Sequence, residues 1–126
     1  MPYEVIWEPR GVLKRYFGHV SKADHADSTQ ELFGDPRFDR VRYVINDFTA
    51  ADSHSIDDEE IIAYTAGRIG CATYQPDIHG VFVANSPEMV ALCKLMSDPQ
   101  YEIPHETRIF STLADGRNWL KSQRIS

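Results

Sequence analysis

Residues 41–48, Val-Arg-Tyr-Val-Ile-Asn-Asp-Phe, are the stretch of sequence that decides the fold. Apolar side chains occupy neighbouring positions here, at Val44 and Ile45, and do not simply alternate with polar ones. A short, nearly continuous apolar run is typical of a strand that is buried on both faces, as in the middle of a parallel sheet. We therefore predict a central strand over residues 41–48, in a sheet that is flanked by helices.

Two strands are predicted before this run. Residues 3–7 and 12–17 both carry apolar and aromatic side chains in short runs, and Pro9-Arg10-Gly11 between them is typical of a turn. Because the connection is short, the two strands are expected to form an antiparallel hairpin. Ser21 with Asp24 has the pattern of a capping box, which predicts a helix that ends at Gly34.

Strands and helices alternate over the rest of the chain. The remaining predicted elements are a loop over residues 49–55, a helix that is capped by Ser55 with Asp58 and is bounded by Pro76, a strand over residues 78–84, a helix from Pro87 to Met96, a strand over residues 107–111 and a helix that is capped by Thr112. Such alternation favours parallel strands joined by right-handed helical crossovers. The predicted fold class is therefore α/β, with a five-stranded mixed sheet that begins with a β-hairpin.

Length and charge narrow the classes of function. A chain of 126 residues is predicted to form one domain, residues 1–126. Its 19 acidic and 13 basic residues give a net charge of -6, which disfavours nucleic acid and limits membrane contact to a peripheral one. The N-terminal segment has no long apolar run, and Cys71 and Cys93 form no CxxC pair, so a cytoplasmic location with reduced cysteines is expected.

The sequence contains none of the common catalytic or metal-binding motifs. The sequence has no P-loop, no GxGxxG, no GxSxG and no HExxH pattern. The five histidines are dispersed, without the spacing of a metal-ligand set. We therefore predict no catalytic residues, no metal and no cofactor, and expect a protein that is not an enzyme.

The polar residues after the central strand form one candidate site. Asp47, Thr49, Ser53 and Ser55 follow the apolar run, and ligand sites of open α/β sheets lie beyond the carboxyl ends of the strands. The hypothesis is an interaction loop whose hydroxyl groups accept phosphate. The alternative is ordinary loop and helix-cap chemistry, for which Ser, Thr and Asp are common residues.

A second candidate site involves two helices. Ile62, Ala66 and Ile69 recur at helical spacing beside glycines at positions 67 and 70, and the following helix carries Met89 and Met96. One interpretation is close packing of a small-sided helix on the sheet. The other is a helix that shifts to admit a small apolar, lipid-like ligand between these residues, because flexible methionines suit adaptable apolar sites.

The assembled pattern resembles the SpoIIAA-like proteins of the STAS superfamily, which share overall features with CRAL-TRIO lipid-transfer domains. The resemblance covers almost the whole chain and rests on a set of short segments. These are Gly11-Val-Leu-Lys14, Tyr16-Phe-Gly-His-Val-Ser21, Tyr43-Val-Ile-Asn-Asp47, Gly80-Val-Phe-Val-Ala84, and Arg108-Ile-Phe110 followed by a helix that closes in Trp119-Leu120.

This resemblance implies a non-enzymatic regulatory module of the anti-sigma-factor-antagonist type, with a protein partner and self-association into a dimer. The family's phosphoacceptor loop has an Asp-Ser-Ser/Thr-Gly-like sequence. Here the corresponding residues are Asp52-Ser-His-Ser55, without a following glycine, so that Ser53 is only a loose positional match. The alternative function is the binding or carrying of a small apolar ligand, with peripheral membrane contact.

Overall fold

The computed structural model describes residues 2–125, which form a mixed sheet with helices on both faces. Its elements are β1 (Tyr3–Trp7), β2 (Gly11–Val20), α1 (Lys22–Phe33), β3 (Tyr43–His54), α2 (Asp58–Tyr74), β4 (His79–Val83), α3 (Pro87–Met96), β5 (Thr107–Phe110) and α4 (Leu113–Ser122), with 3-10 turns at Pro36–Arg40 and Pro99–Tyr101. The strand order is β1-β2-β3-β4-β5. β1 pairs with β2 antiparallel, and the other neighbours are parallel. The predicted fold class is confirmed.

The helices divide between the two faces of the sheet. Met89, Leu92 and Cys93 of α3 pack with Phe48 and Phe82 on the face that also carries α1 and α2. On the opposite face, α4 packs against the other side chains of the same strands. That second cluster contains Leu13, Tyr43, Ile45, Val81, Val83, Trp119 and Leu120. Because successive strand residues point to opposite faces, β3 supplies both clusters, with Ile45 in the second and Phe48 in the first.

The helix caps follow the sequence signals at three of the four helices. Ser21 and Asp24 form the predicted capping box at the start of α1. The Ser86 side chain accepts a hydrogen bond from the backbone of Met89, and Thr112 accepts one from the backbone of Asp115. These bonds satisfy backbone N–H groups that have no partner inside the helix.

The predictions for residues 49–58 were wrong in two respects. The expected loop is the second half of β3, because β2 extends to Val20 and pairs with β3 as far as His54. The cap of α2 is Asp57, whose carboxylate accepts from the backbone N–H of Glu60, and not Ser55. Polar residues are accommodated in this strand because half of its positions there are exposed to solvent.

A close contact between β2 and β3 gives a test of the packing. A Cβ atom added to Gly11 would lie 2.4 Å from ring atoms of Tyr43, whose hydroxyl donates to the Glu8 carboxylate. We expect Gly11→Ala to lower the free energy of unfolding by about 1–3 kcal/mol, because the Tyr43 ring must move. Urea unfolding monitored by circular dichroism measures the change.

The matched control is Gly70→Ala, in the interior of α2. A Cβ atom there meets nothing within 4 Å. Because alanine favours a helix more than glycine does, this variant should have a free energy of unfolding about 1 kcal/mol higher than the wild type. A Gly11→Ala protein that is as stable as the wild type would contradict the packing of Tyr43 on the Gly11 backbone.

Candidate functional site

Asp47 and Thr49 form the first polar group of the candidate site. The Asp47 carboxylate is buried and accepts hydrogen bonds from the backbone N–H of Thr49, at 2.9 Å, and from its hydroxyl, at 2.7 Å. Its second oxygen lies 3.9 Å from the Arg15 guanidinium on β2. These contacts hold the backbone of β3 in place, and they leave the side chain of Thr49 at the surface.

Ser53 and Ser55 form a second group around a residue that sequence reasoning missed. Nδ1 of His19 lies 2.7 Å from the Ser53 hydroxyl, and its Nε2 lies 3.2 Å from the Ser55 hydroxyl. A neutral imidazole donates at one nitrogen and accepts at the other, so the two hydroxyls play opposite roles. His19 is distant in sequence and is brought here by the β2–β3 register, which pairs it with Ser53.

The four residues of the predicted loop therefore share one stretch of chain but not one hydrogen-bonded cluster. Asp47 and Thr49 bond to each other, and Ser53 and Ser55 bond to His19. Ser55 is exposed and Ser53 is half-buried. Thr49 is exposed as well, so three of the four side chains are open to solvent and only Asp47 is buried.

The residues of α2 that were predicted to face a ligand point away from the sheet. Ile62, Ala66 and Ile69 point outward, with Ile62 59% and Ile69 42% exposed, whereas Met89 and Met96 are fully buried in α3. The two groups do not line a common pocket, and the prediction of one apolar site from these five residues was wrong. The helix instead turns Ile61, Tyr64, Thr65, Arg68 and Ala72 toward the sheet.

Arg68 fixes this orientation. Its side chain is only 8% exposed, its Nη2 donates to the Thr107 hydroxyl at 2.7 Å, and its guanidinium lies over the rings of Tyr64 and Phe82. Gly80 leaves the necessary room, because a Cβ atom there would lie 3.2 Å from Arg68 Nη2. A buried guanidinium needs such partners to offset its lost hydration.

A cavity lies between α1, α2 and the sheet, and we call it the Lys14–Arg68 cavity. It has a volume of about 40 Å³, enough for a few water molecules. Both cations line it, together with apolar side chains that include Leu32, Phe38 and Phe82. Sequence reasoning missed this cavity, although one signal was available. Lys14 shares the apolar face of β2 with Val12 and Tyr16, which is an unusual position for lysine.

Lys14 is buried, and it forms no ion pair with a carboxylate among residues 2–125. Its Nζ lies 3.4 Å from the Thr29 hydroxyl of α1. Burial lowers the pKa of Lys14 to about 7, with Arg68 acting in the same direction and Glu60 opposing it. The Glu60 carboxylate lies 2.5 Å from Nδ1 of His25, so its nearest hydrogen-bond partner is not Lys14.

The lysine makes the stability of the protein depend on pH. Its pKa falls from an ordinary 10.5 to about 7 on folding, so below pH 7 both states hold the proton and the folded state bears the full burial cost. Between pH 7 and 10.5 the unfolded chain binds more protons, and stability rises with pH. Lys14→Met should therefore be more stable than the wild type at pH 6, and this gap should narrow by at most about 1.4 kcal/mol per pH unit above pH 7.

Urea unfolding of both proteins from pH 6 to pH 9 measures this difference in the free energy of unfolding. The contributions of other titrating groups largely cancel, because both proteins contain them. Lys121→Met, at an exposed position of α4, is the control and should show no such trend. A gap between Lys14→Met and wild type that stays constant with pH would show that Lys14 does not titrate in this range.

Both cysteines lie in surroundings that suppress reactivity. Burial raises the pKa of Cys93 to about 12 and also raises the pKa of Cys71, while Arg68 acts in the opposite direction on Cys71. A thiol with a raised pKa holds little thiolate at neutral pH, and the thiolate is the nucleophile. Within residues 2–125, no three His, Cys, Asp or Glu side chains converge as a metal site.

No described helix is long and apolar enough to cross a bilayer. No family model matches the chain, and no curated protein matches its sequence significantly. Solved structures do match. Unphosphorylated SpoIIAA, an anti-sigma factor antagonist, superposes with a TM-score of 0.62 at 12% identity, over 94% of this chain and 97% of that one.

An uncharacterized protein of the DUF3478 family from Shewanella loihica PV-4, described as having a SpoIIAA-like fold, superposes with a TM-score of 0.55 at 14% identity. That match covers 94% of this chain and 91% of that one. At such identities the likeness concerns the fold, including the hairpin, the mixed sheet and the flanking helices. The chain therefore has a SpoIIAA-like α/β fold.

Proposed function

We propose that this protein is a regulatory module that binds a protein partner through the outer face of α2. We call this face the α2 stripe, and it consists of Ile62, Ala66, Ile69 and Thr73, all of which are exposed. The likeness to SpoIIAA, which is named as an anti-sigma factor antagonist, supports an interaction function of this general kind.

The observation that carries the proposal is the lack of charge on the outer face of α2 after its first turn. From Ile61 to Tyr74 the helix has one charged residue, Arg68, and that residue is buried. The outer face therefore has no charged side chain over this length, and Tyr74 at its end is 87% exposed. An ordinary surface helix has charges outside and apolar residues inside. An exposed apolar surface of this kind is typical of an interaction site.

The charges at the ends of the stripe favour a particular partner. Asp57, Asp58 and Glu59 lie at the start of α2, where one lysine, Lys22, pairs with Asp57 and Glu59. The last turn of α2 has no basic residue. If a second copy of this chain packed its α2 antiparallel to this one, the last turn of that helix would bring no basic residue to the acidic start of α2. A different protein, with an apolar patch bordered by basic residues, complements both features.

A capture experiment tests the proposal. The tagged double variant Ile62→Lys and Ile69→Lys should fail to capture a native-cell protein that the wild type captures, since it places two charges in the interface. The control is Asn118→Lys, on the exposed side of α4 across the sheet, and it should capture that protein normally.

The captured protein is then purified and titrated against the wild type. We expect its affinity to weaken with added salt and to fall at least about tenfold in the double variant. Equal capture by the double variant would refute the proposed surface. A dimer of the wild type that the double variant loses would assign the stripe to self-association instead.

We further propose that the serine pair of β3 regulates this interaction by accepting phosphate. A phosphate on Ser53 or Ser55 adds about two negative charges next to His19 and near the acidic start of α2. The protein from its native cell should then contain a phosphorylated form, seen by intact mass spectrometry and lost in the Ser53→Ala, Ser55→Ala variant. Thr49→Ala is the control, because its hydroxyl bonds to Asp47 and not to His19. Absence of any phosphorylated form in several growth states would refute this role.

A second function, the binding of a small molecule, is favoured by a different observation. The Lys14–Arg68 cavity has mostly apolar walls with a few convergent polar groups, which is the ordinary composition of a ligand pocket. Its residues differ from the five apolar positions that the sequence predicted. We therefore propose that a small ligand binds in the space between α1, α2 and the sheet, and not at those five positions.

A further inference from the structure

The Lys14–Arg68 cavity contains two cations and an incomplete set of partners for them. Nη1 of Arg68 has no hydrogen-bond partner among residues 2–125, although Nη2 of the same group bonds to Thr107. Lys14 has a single long hydrogen bond, 3.4 Å, to Thr29. Buried donors are nearly always satisfied, and a charged one is costly when it is not. The site therefore lacks an acceptor.

The nearby carboxylates do not supply that acceptor. Glu60 is bonded to His25, and Glu31 is exposed to solvent. Asn46, which also lines the cavity, carries no charge. The cavity thus has a positive interior in a protein whose net charge is -6. An anion in the cavity would give Arg68 Nη1 the acceptor that it lacks and would offset the positive charge of Lys14.

The remaining walls indicate what the anion is attached to. Apolar side chains make up much of the rest of the lining: Leu32, Phe33, Phe38, Val44 and Ile78. These side chains offer no hydrogen bonds, so they favour a short hydrocarbon part on the ligand. A doubly charged phosphate needs more donors than one free guanidinium nitrogen and one lysine, whereas a singly charged carboxylate matches them.

We propose that the Lys14–Arg68 cavity binds a short aliphatic monocarboxylate, with its carboxylate between Lys14 and Arg68 and its chain against the apolar wall. This assignment rests on the second function proposed above and names the ligand class. Arg68 and His105 also line a surface groove beside Ser97 and Glu102.

Binding should be linked to proton uptake at Lys14. The groups that face this lysine are Glu60 and Arg68 of α2, together with Glu31, His25 and Thr29 of α1. Because the pKa of Lys14 is about 7, most of the protein has a neutral lysine at pH 8. A bound carboxylate favours the charged form, so the protein takes up protons as it binds.

Calorimetric titration of the full chain with butanoate tests the assignment, with 1-butanol as the uncharged probe of the same length. At pH 6.5 butanoate should bind at least about tenfold more tightly than 1-butanol. Titrations at pH 8 in two buffers of different ionisation enthalpy should show net proton uptake. Butanoate should bind more weakly at pH 9 than at pH 6.5.

Two cavity variants and one surface variant complete the test. Arg68→Gln and Lys14→Met should each weaken butanoate binding at least about tenfold and leave 1-butanol binding nearly unchanged. Lys14→Met should also abolish the proton uptake. Arg108→Gln removes an exposed arginine of β5 and should bind butanoate as the wild type does. If Arg68→Gln does not fold, Arg68→Lys replaces it, with weaker binding expected because the planar donor set is lost.

The outcomes separate the two proposals. Equal binding of butanoate and 1-butanol overturns the carboxylate assignment and leaves a ligand cavity of apolar character. Binding of neither probe overturns both the assignment and the second function. If Arg68→Gln and Arg108→Gln weaken butanoate binding equally, the anion binds at the surface, and the assignment is overturned as well.

Discussion

The long parallel pairing of β2 with β3 is the constraint on which the other features of the structure depend. It runs from Gly11 opposite Tyr43 to Val20 opposite His54, with two register shifts along the way. This pairing converts the polar segment after the central strand into strand, and it places His19 beside Ser53. It also sets Lys14 opposite Asn46, on the face that α1 and α2 cover. The serine pair with His19 and the Lys14–Arg68 cavity therefore both depend on the register of β2 and β3.

The second determinant is the burial of Arg68. Once its guanidinium bonds to Thr107 and lies over the rings of Tyr64 and Phe82, the rotation of α2 about its axis is fixed. Residues at i, i+4 and i+7 along the opposite side then point to solvent. The exposure of Ile62 and Ile69 follows from this geometry. The buried contact between Arg68 and Thr107 thus leaves Ile62 and Ile69 exposed on the protein surface.

The same helix connects the two proposed functions. Its inner face supplies Arg68 to the cavity, and its outer face forms the α2 stripe. Fold likeness by itself says little about function, because one fold serves many activities. Three features of the side chains therefore support the proposed functions. They are a buried guanidinium nitrogen without a partner among residues 2–125, a buried lysine whose pKa is about 7, and two solvent-exposed isoleucines.

The sequence by itself determined the fold class, because strand and helix periods, capping residues and the apolar run at 41–48 are local signals. The caps at Ser21, Ser86 and Thr112 were predictable for the same reason. The end of β3, the rotation of α2 and the Lys14–Arg68 cavity were decided only by tertiary structure. A strand's length depends on its neighbour, and the buried side of a helix without a strong apolar face depends on which polar group finds a partner inside. Such partners lie far apart along the chain, as Arg68 and Thr107 do.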